Sequence, residues 1–256
     1  MWRGRGGGSS AMSFSEAEVE RYARHLVLRE VGGPGQQKLK AARVLVVGAG
    51  GLGAPAALYL AAAGVGMIGL VDPDTVSLSN LQRQVLYATA DVGRPKVEAA
   101  DEHLRALNPN TIIESHAVWL DRSNAEAVVS GYDLVLDGTD DFATRFAVSD
   151  ACVAQGKTLV SGALGRWTGQ VGVFQGQPCY RCLVPEIPPD AETCALVGVV
   201  GALAGVIGSM MALEALKLIA GAGEPLSGRL LIYDGLASET RTVRIGRDPQ
   251  CPSCAA

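Results

Sequence analysis

Short apolar runs alternate with longer amphipathic or Ala-rich segments through the first 160 residues. Arg43-Val-Leu-Val-Val47 has strand length and β-branched character; it breaks into Gly48-Ala-Gly50-Gly51-Leu-Gly53 and passes straight into the apolar segment Ala54–Ala63. That order predicts strand, tight turn and helix, with Pro55 where a first helical turn tolerates it. Met67–Val71, Ile112–Val118 and Asp133–Asp137 predict three further strands. Between them, Pro95–Leu107 predicts a helix stopped by Asn108-Pro109, and Ser123-Asn-Ala-Glu126 has capping-box spacing that opens another helix to Ser130. Upstream, Ser15 followed by Glu16 and Glu18 signals a helix start. That helix carries Arg21 and Arg24, and Gly32-Gly33-Pro34-Gly35 predicts a break before the first strand.

This alternation implies a parallel sheet with right-handed crossovers. After residue 160 the pattern changes: 158–161, 169–174, 229–233 and 239–245 read as strands joined by turns. The expected fold is therefore α/β, a Rossmann-like nucleotide-binding half (41–160) whose parallel strands continue into a mixed or antiparallel half (161–256). Both belong to one domain, 15–256, behind a Gly- and Ser-rich tail, 1–14, expected to be disordered. Cys194–Leu213 runs twenty residues without a charge, long enough for a membrane span. Gly198, Gly201, Gly205 and Gly208 weaken its hydropathy, and Glu214 and Lys217 continue the run at pairing distance. It is expected to be a buried or interface helix, with no membrane partner.

A chain of 256 residues that is 48% hydrophobic has ample material for a core. Its net charge of −4 gives no electrostatic case for nucleic-acid binding. The tail has no apolar stretch of the signal-peptide kind, so the expected compartment is the cytoplasm.

Gly48, Gly50 and Gly53 match the G-x-G-x-x-G pattern that brings backbone N–H groups at a helix N-terminus up to phosphate. Asp72 ends the second apolar run about 20 residues further on, the position of a ribose-binding acid. A hydride-transfer enzyme needs an apolar nicotinamide pocket. Here Asp74, Ser79, Asn80, Arg83 and Lys96 follow instead, and two cations with an amide suit charge stabilisation at phosphorus. Asp140 and Asp141, beyond the fourth strand, form an acidic cluster suited to a metal ion. An NAD-dependent oxidoreductase and a non-catalytic scaffold stay open as alternatives.

Cys179-x-x-Cys182 and Cys251-x-x-Cys254 supply four thiolates for a closed, structural zinc site. With 68 residues between the pairs, the fold must bring them together. Redox or unrelated thiols are the alternative. Cys152 reads as a small buried hydrophobe, and Cys194 as either an inert or a reactive thiol. His25, His103 and His116 carry no partner signal and read as non-catalytic. Arg24, from position alone, is a solvated charge.

Taken together and in this order, these motifs resemble the ubiquitin-activating superfamily, most closely its bacterial MoeB, ThiF and HesA members. The resemblance implies a homodimeric adenylyltransferase that uses ATP and Mg²⁺ to activate the C-terminal glycine of a small ubiquitin-like sulfur carrier ending in Gly-Gly. A MoaD-like carrier of molybdopterin synthesis is favoured over a ThiS-like carrier of thiamine synthesis. It implies that Gly48, Gly50, Gly51 and Gly53 hold the phosphates and Asp72 the ribose. Asp74, Ser79, Asn80, Arg83 and Lys96 would surround the nucleotide, with Asp140 on Mg²⁺. Asp141 stands where the family usually has Asn. Arg24 matches a residue reaching into the partner subunit's site, and Cys194 matches a cysteine that links covalently to the carrier in some members. No rhodanese-like extension follows Cys254, so sulfur is expected from elsewhere.

Overall fold

A computed structural model describes residues 13–187 and 198–255; most of the tail, and Cys194, lie outside the described residues. Ser15 caps α1 (Glu16–Arg21): its Oγ accepts from the Glu18 N–H at 3.2 Å while Glu18 accepts from the Ser15 N–H at 2.9 Å. The single helix expected here is interrupted at Tyr22, and α2 (Ala23–Leu26) carries Arg24. Tyr22 is buried, its hydroxyl accepting from Asn108 Nδ2 at 2.9 Å, so the backbone bends to seat the ring. Arg21 is tied to the Leu107 carbonyl at 2.8 Å.

The expected break at Gly32 is instead the start of α3 (Gly32–Ala41). Glycine and proline are harmless there because first-turn N–H groups have no intrahelical acceptor to lose. The chain continues through β1 (Arg43–Val47), α4 (Gly53–Ala62), β2 (Met67–Val71), α5 (Lys96–Leu107), β3 (Ile112–His116), α6 (Ala125–Ser130), β4 (Leu134–Asp137) and α7 (Phe142–Ala154). Then come β5 (Thr158–Leu164), β6 (Thr168–Phe174), α8 (Tyr180–Leu183), α9 (Gly201–Ala220), β7 (Arg229–Asp234) and β8 (Glu239–Arg244). The capping box expected at Ser123 does not form. Asn124 occupies the cap, and the Ser123 hydroxyl donates to Asp121 at 2.5 Å, closing a tight Asp turn first.

All eight strands lie in one sheet, ordered β3-β2-β1-β4-β5-β6-β7-β8. Pairing is parallel from β3 to β5 and antiparallel from β5 to β8, so the two expected halves share β5. Alternate residues of β1 feed opposite faces: Val44 and Val46 join Leu60 and Ile68, while Leu45 and Val47 join Val135 and Val148. Cover on both faces explains why these strands read as unbroken apolar runs.

Helix α9 is long and apolar enough to cross a membrane, with a mean hydropathy of 1.7, yet half of that window is buried against the rest of the chain. It packs on α4, β5 and β6. Gly208 makes this possible, since a Cβ there would stand 2.5 Å from the Leu52 carbonyl oxygen and from Pro55. Glu214 and Lys217 pair at 2.5 Å as their spacing predicts, and Glu214 also accepts from the Leu226 N–H at 2.8 Å.

Candidate active site

The register of the parallel strands builds the site. Val47 lies level with Val71 on β2 and with Asp137 on β4, so Gly48, Asp72 and Gly138 leave the sheet side by side. This is the crevice at the strand C-termini where the strand order reverses. Gly48 has φ +85°, and a Cβ on Gly53 would stand 1.8 Å from the Gly48 carbonyl oxygen. Only glycine lets α4 start so close beneath the turn. Tyr87 donates its hydroxyl to the Ala49 carbonyl at 2.8 Å and holds the turn from below.

Asp72 is buried and accepts from the Ala49 N–H at 2.9 Å and the Asp74 N–H at 3.0 Å. Burial pushes its pKa up, against Lys96 and these two N–H groups. Lys96, on the first residue of α5, places Nζ 3.4 Å from Asp72 and 2.8 Å from Asp74. A bridge between Thr75 and Pro95 brings the two loops together. Next, the 3-10 turn Leu78–Asn80 is closed by the Ser77 N–H donating to Asn80 Oδ1 at 3.1 Å. Arg83 then lies along Gly51, donating to the Ser79 carbonyl at 3.3 Å.

Beyond β4 the acids divide their tasks. Asp137 is consumed internally by Thr139, Ser161 and Arg145. Asp141 caps α7, accepting from the Thr144 N–H at 2.7 Å. Aspartate and asparagine are near-equal caps, which accounts for Asp141 where the family usually has Asn. Among the described residues, Asp140 is the acid of this cluster with no hydrogen-bond or ion-pair partner.

One cavity of about 520 Å³ joins these groups: Gly48, Gly50, Gly51, Asp72, Asp74, Asn80, Arg83, Lys96, Asp140 and Asp141 all line it. Gly53 and Ser79 do not; Gly53 serves packing, and Ser79 hydrogen-bonds Ser77. Arg24 is exposed on α2, does not line this cavity, and has no hydrogen-bond or ion-pair partner among the described residues. Cavity residues not anticipated include Trp119, Arg145 and Tyr180. Arg145 had one visible signal, a cation in the apolar helix after the acids. The histidines stay outside: His25 bonds Gln36, His103 bonds Asp91 and His116 bonds Tyr132.

The two cysteine pairs meet. Cys179 and Cys251 Sγ atoms lie 3.5 Å apart, Cys182 and Cys254 3.4 Å, and all four within 4.8 Å of one another, with no disulfide. Four thiolates about 2.3 Å from a central Zn²⁺ would be roughly 3.8 Å apart, so the set fits a tetrahedral ion. Cys152 is buried, and burial pushes its thiol up, as for an inert packing residue.

Cations, an unpartnered carboxylate and a glycine turn in one cavity suit chemistry at a nucleotide phosphate. Comparison with known proteins agrees. A model of the ThiF family matches residues 22–253. The chain is 49% identical to the sulfur carrier protein adenylyltransferase of Thermus thermophilus, covering 95% of this chain and 93% of that one. It is 50% identical to the probable adenylyltransferase/sulfurtransferase MoeZ of Mycobacterium tuberculosis, of which it spans 64%. The crystal structure of E. coli MccB with AMPCPP and MccA superposes with a TM-score of 0.80 at 25% identity, covering 91% of this chain and 74% of that one.

Proposed function

The chain belongs to the ThiF family, and from that premise we propose that it is an ATP-dependent adenylyltransferase for the C-terminal glycine of a small ubiquitin-like sulfur carrier, MoaD-like in preference to ThiS-like. The observation that carries this reading is the cavity in which Arg83, Lys96 and the unpartnered Asp140 surround the glycine turn. No histidine lines it, and none is needed, because a glycine C-terminal carboxylate is already ionised at neutral pH. One carboxylate oxygen attacks the α-phosphorus, and the bond to the bridging oxygen breaks. Pyrophosphate leaves with that electron pair. Gly50 and Gly51 receive the phosphates, Asp72 the ribose hydroxyls, and Asn80, Arg83 and Lys96 meet the charge spreading over the phosphate oxygens. Asp140 would hold Mg²⁺, which when bound neutralises phosphate charge. An oxidoreductase reading leaves Asn80, Arg83 and Lys96 without a task.

The working unit is proposed to be a homodimer in the cytoplasm, with Arg24 serving the partner's site. Two features support the dimer. Arg24 stands out unpaired, and α9 turns Val206 and Leu213 outward, with Tyr59 and Val85 beside Val206; Tyr59, Val85 and Leu213 are more than half exposed. The four cysteines would hold structural Zn²⁺. Cys194 is kept only as a candidate for a covalent link to the carrier.

ATP–pyrophosphate exchange, measured with MoaD-like and ThiS-like carriers supplied separately, tests the proposal. Exchange is expected with the MoaD-like carrier. Exchange with neither, despite bound ATP, would sink the sulfur-carrier reading.

A further inference from the structure

Arg145 sits on α7 with 5% of its surface exposed, and what it holds is the turn that bears Asp140. Its Nη2 donates to the carbonyls of Thr139 and, at 2.7 Å, Gly162. Its Nη1 donates to Ser161 Oγ at 3.2 Å and lies 3.3 Å from Asp137. Thr139 is itself pinned by its hydroxyl and its N–H to Asp137. Asp140, which makes no hydrogen bond or ion pair of its own although the Arg145 charge acts on it, therefore follows directly on a residue held by both members of one buried ion pair. In the same cavity the Tyr180 ring stands 6.0 Å from the guanidinium, at the limit of cation–π range. Tyr180 belongs to the Cys179–Cys182 knuckle, and its neighbour Arg181 grips Asp150 of α7 at 2.7 and 2.8 Å.

We propose that Arg145 is a positioning residue that fixes the turn presenting Asp140 to the nucleotide-bound divalent cation, and that Tyr180, carried on the cysteine knuckle, braces it. The inference rests on the adenylyltransferase reading of the cavity. A lysine cannot take over the role. One ammonium does not reach two carbonyls, a hydroxyl and a carboxylate in the guanidinium's planar fork. Tyr180 adds a second requirement, because its ring is carried on the segment that holds two of the four clustered cysteines.

The test is calorimetric titration of a non-hydrolysable ATP analogue into wild type, Arg145→Lys and Tyr180→Leu over a range of Mg²⁺ concentrations, with thermal melts alongside. For Arg145→Lys the Mg²⁺ concentration giving half-maximal nucleotide binding is expected to rise about tenfold or more, the scale for losing a partner that orients a metal ligand. Affinity at saturating Mg²⁺ should return close to wild type, and Tyr180→Leu should move the same way by a smaller factor. A lowered melting temperature with unchanged Mg²⁺ dependence in both variants would overturn the proposal. If Arg145→Lys does not fold, Tyr180→Leu decides on the same readout. Wild type that binds no nucleotide at any Mg²⁺ concentration would remove the adenylyltransferase function, and this role with it.

Discussion

Asp72 and Asp91 are both buried carboxylates, and their surroundings push them in opposite directions. Burial raises Asp72. Asp91 is lowered, first by the Ala88 N–H at 2.8 Å and then by His103 at 2.7 Å and Arg94 at 2.8 Å. Because folded Asp91 gives up its proton more readily than the unfolded chain, its contribution is complete above the ordinary aspartate value and is lost as pH falls through the folded one. Asp91→Asn should therefore cost about 2 kcal/mol at pH 7, the scale of hydrogen bonds to a charged group. The gap to wild type should shrink in acid below about pH 4. Denaturant melts at the two pH values check this. At the scale of single residues, Asp72, Arg83, Lys96 and Asp140 were legible because glycines and strand ends flag their neighbourhood. Arg145 showed only as a cation in an apolar helix and Tyr180 not at all, since what they touch is set by how α7, β5 and the cysteine knuckle meet.

Elements were legible where one local signal dominated. The turn into α4 is an instance, since strand, glycines and alanines agree. Gly53→Ala should abolish nucleotide binding and lower the melting temperature sharply, because the added Cβ would meet the Gly48 carbonyl oxygen at 1.8 Å; a nucleotide titration and a thermal melt read both effects. A variant that binds nucleotide normally would show that α4 can shift without harm. Signals failed where two local devices competed. At Gly32 a run of glycines read as a break yet starts α3, and at Ser123 an Asp turn captured the hydroxyl before a capping box formed. The kink at Tyr22 depends on Asn108, 86 residues away, and nothing near Tyr22 announces it.

For the whole molecule, the separation between Cys182 and Cys251 left their meeting to the fold, and the antiparallel return through β7 and β8 accomplishes it. The dimer makes a claim of its own. If Arg24 serves the partner's site, Arg24→Ala and Arg83→Ala are each nearly inactive alone. Mixing them after subunit exchange should restore roughly a quarter of wild-type exchange activity, since half the dimers become mixed and each mixed dimer has one intact site. No recovery, with exchange of subunits verified by mass, would place Arg24 outside the reaction.

Strand β5 is where the sheet changes direction, with a parallel neighbour on one side and an antiparallel one on the other. On its β4 side β4, β1 and β2 are buried almost throughout, whereas β8 is exposed along its length and forms an outer edge. Protection of amide hydrogens should follow that burial. In heavy water, deuterium should enter β8 within minutes and β1 and β4 only when the whole domain opens; β6, buried and paired on both edges, should keep company with the slow strands, which puts the frontier beyond the change of direction, at β7.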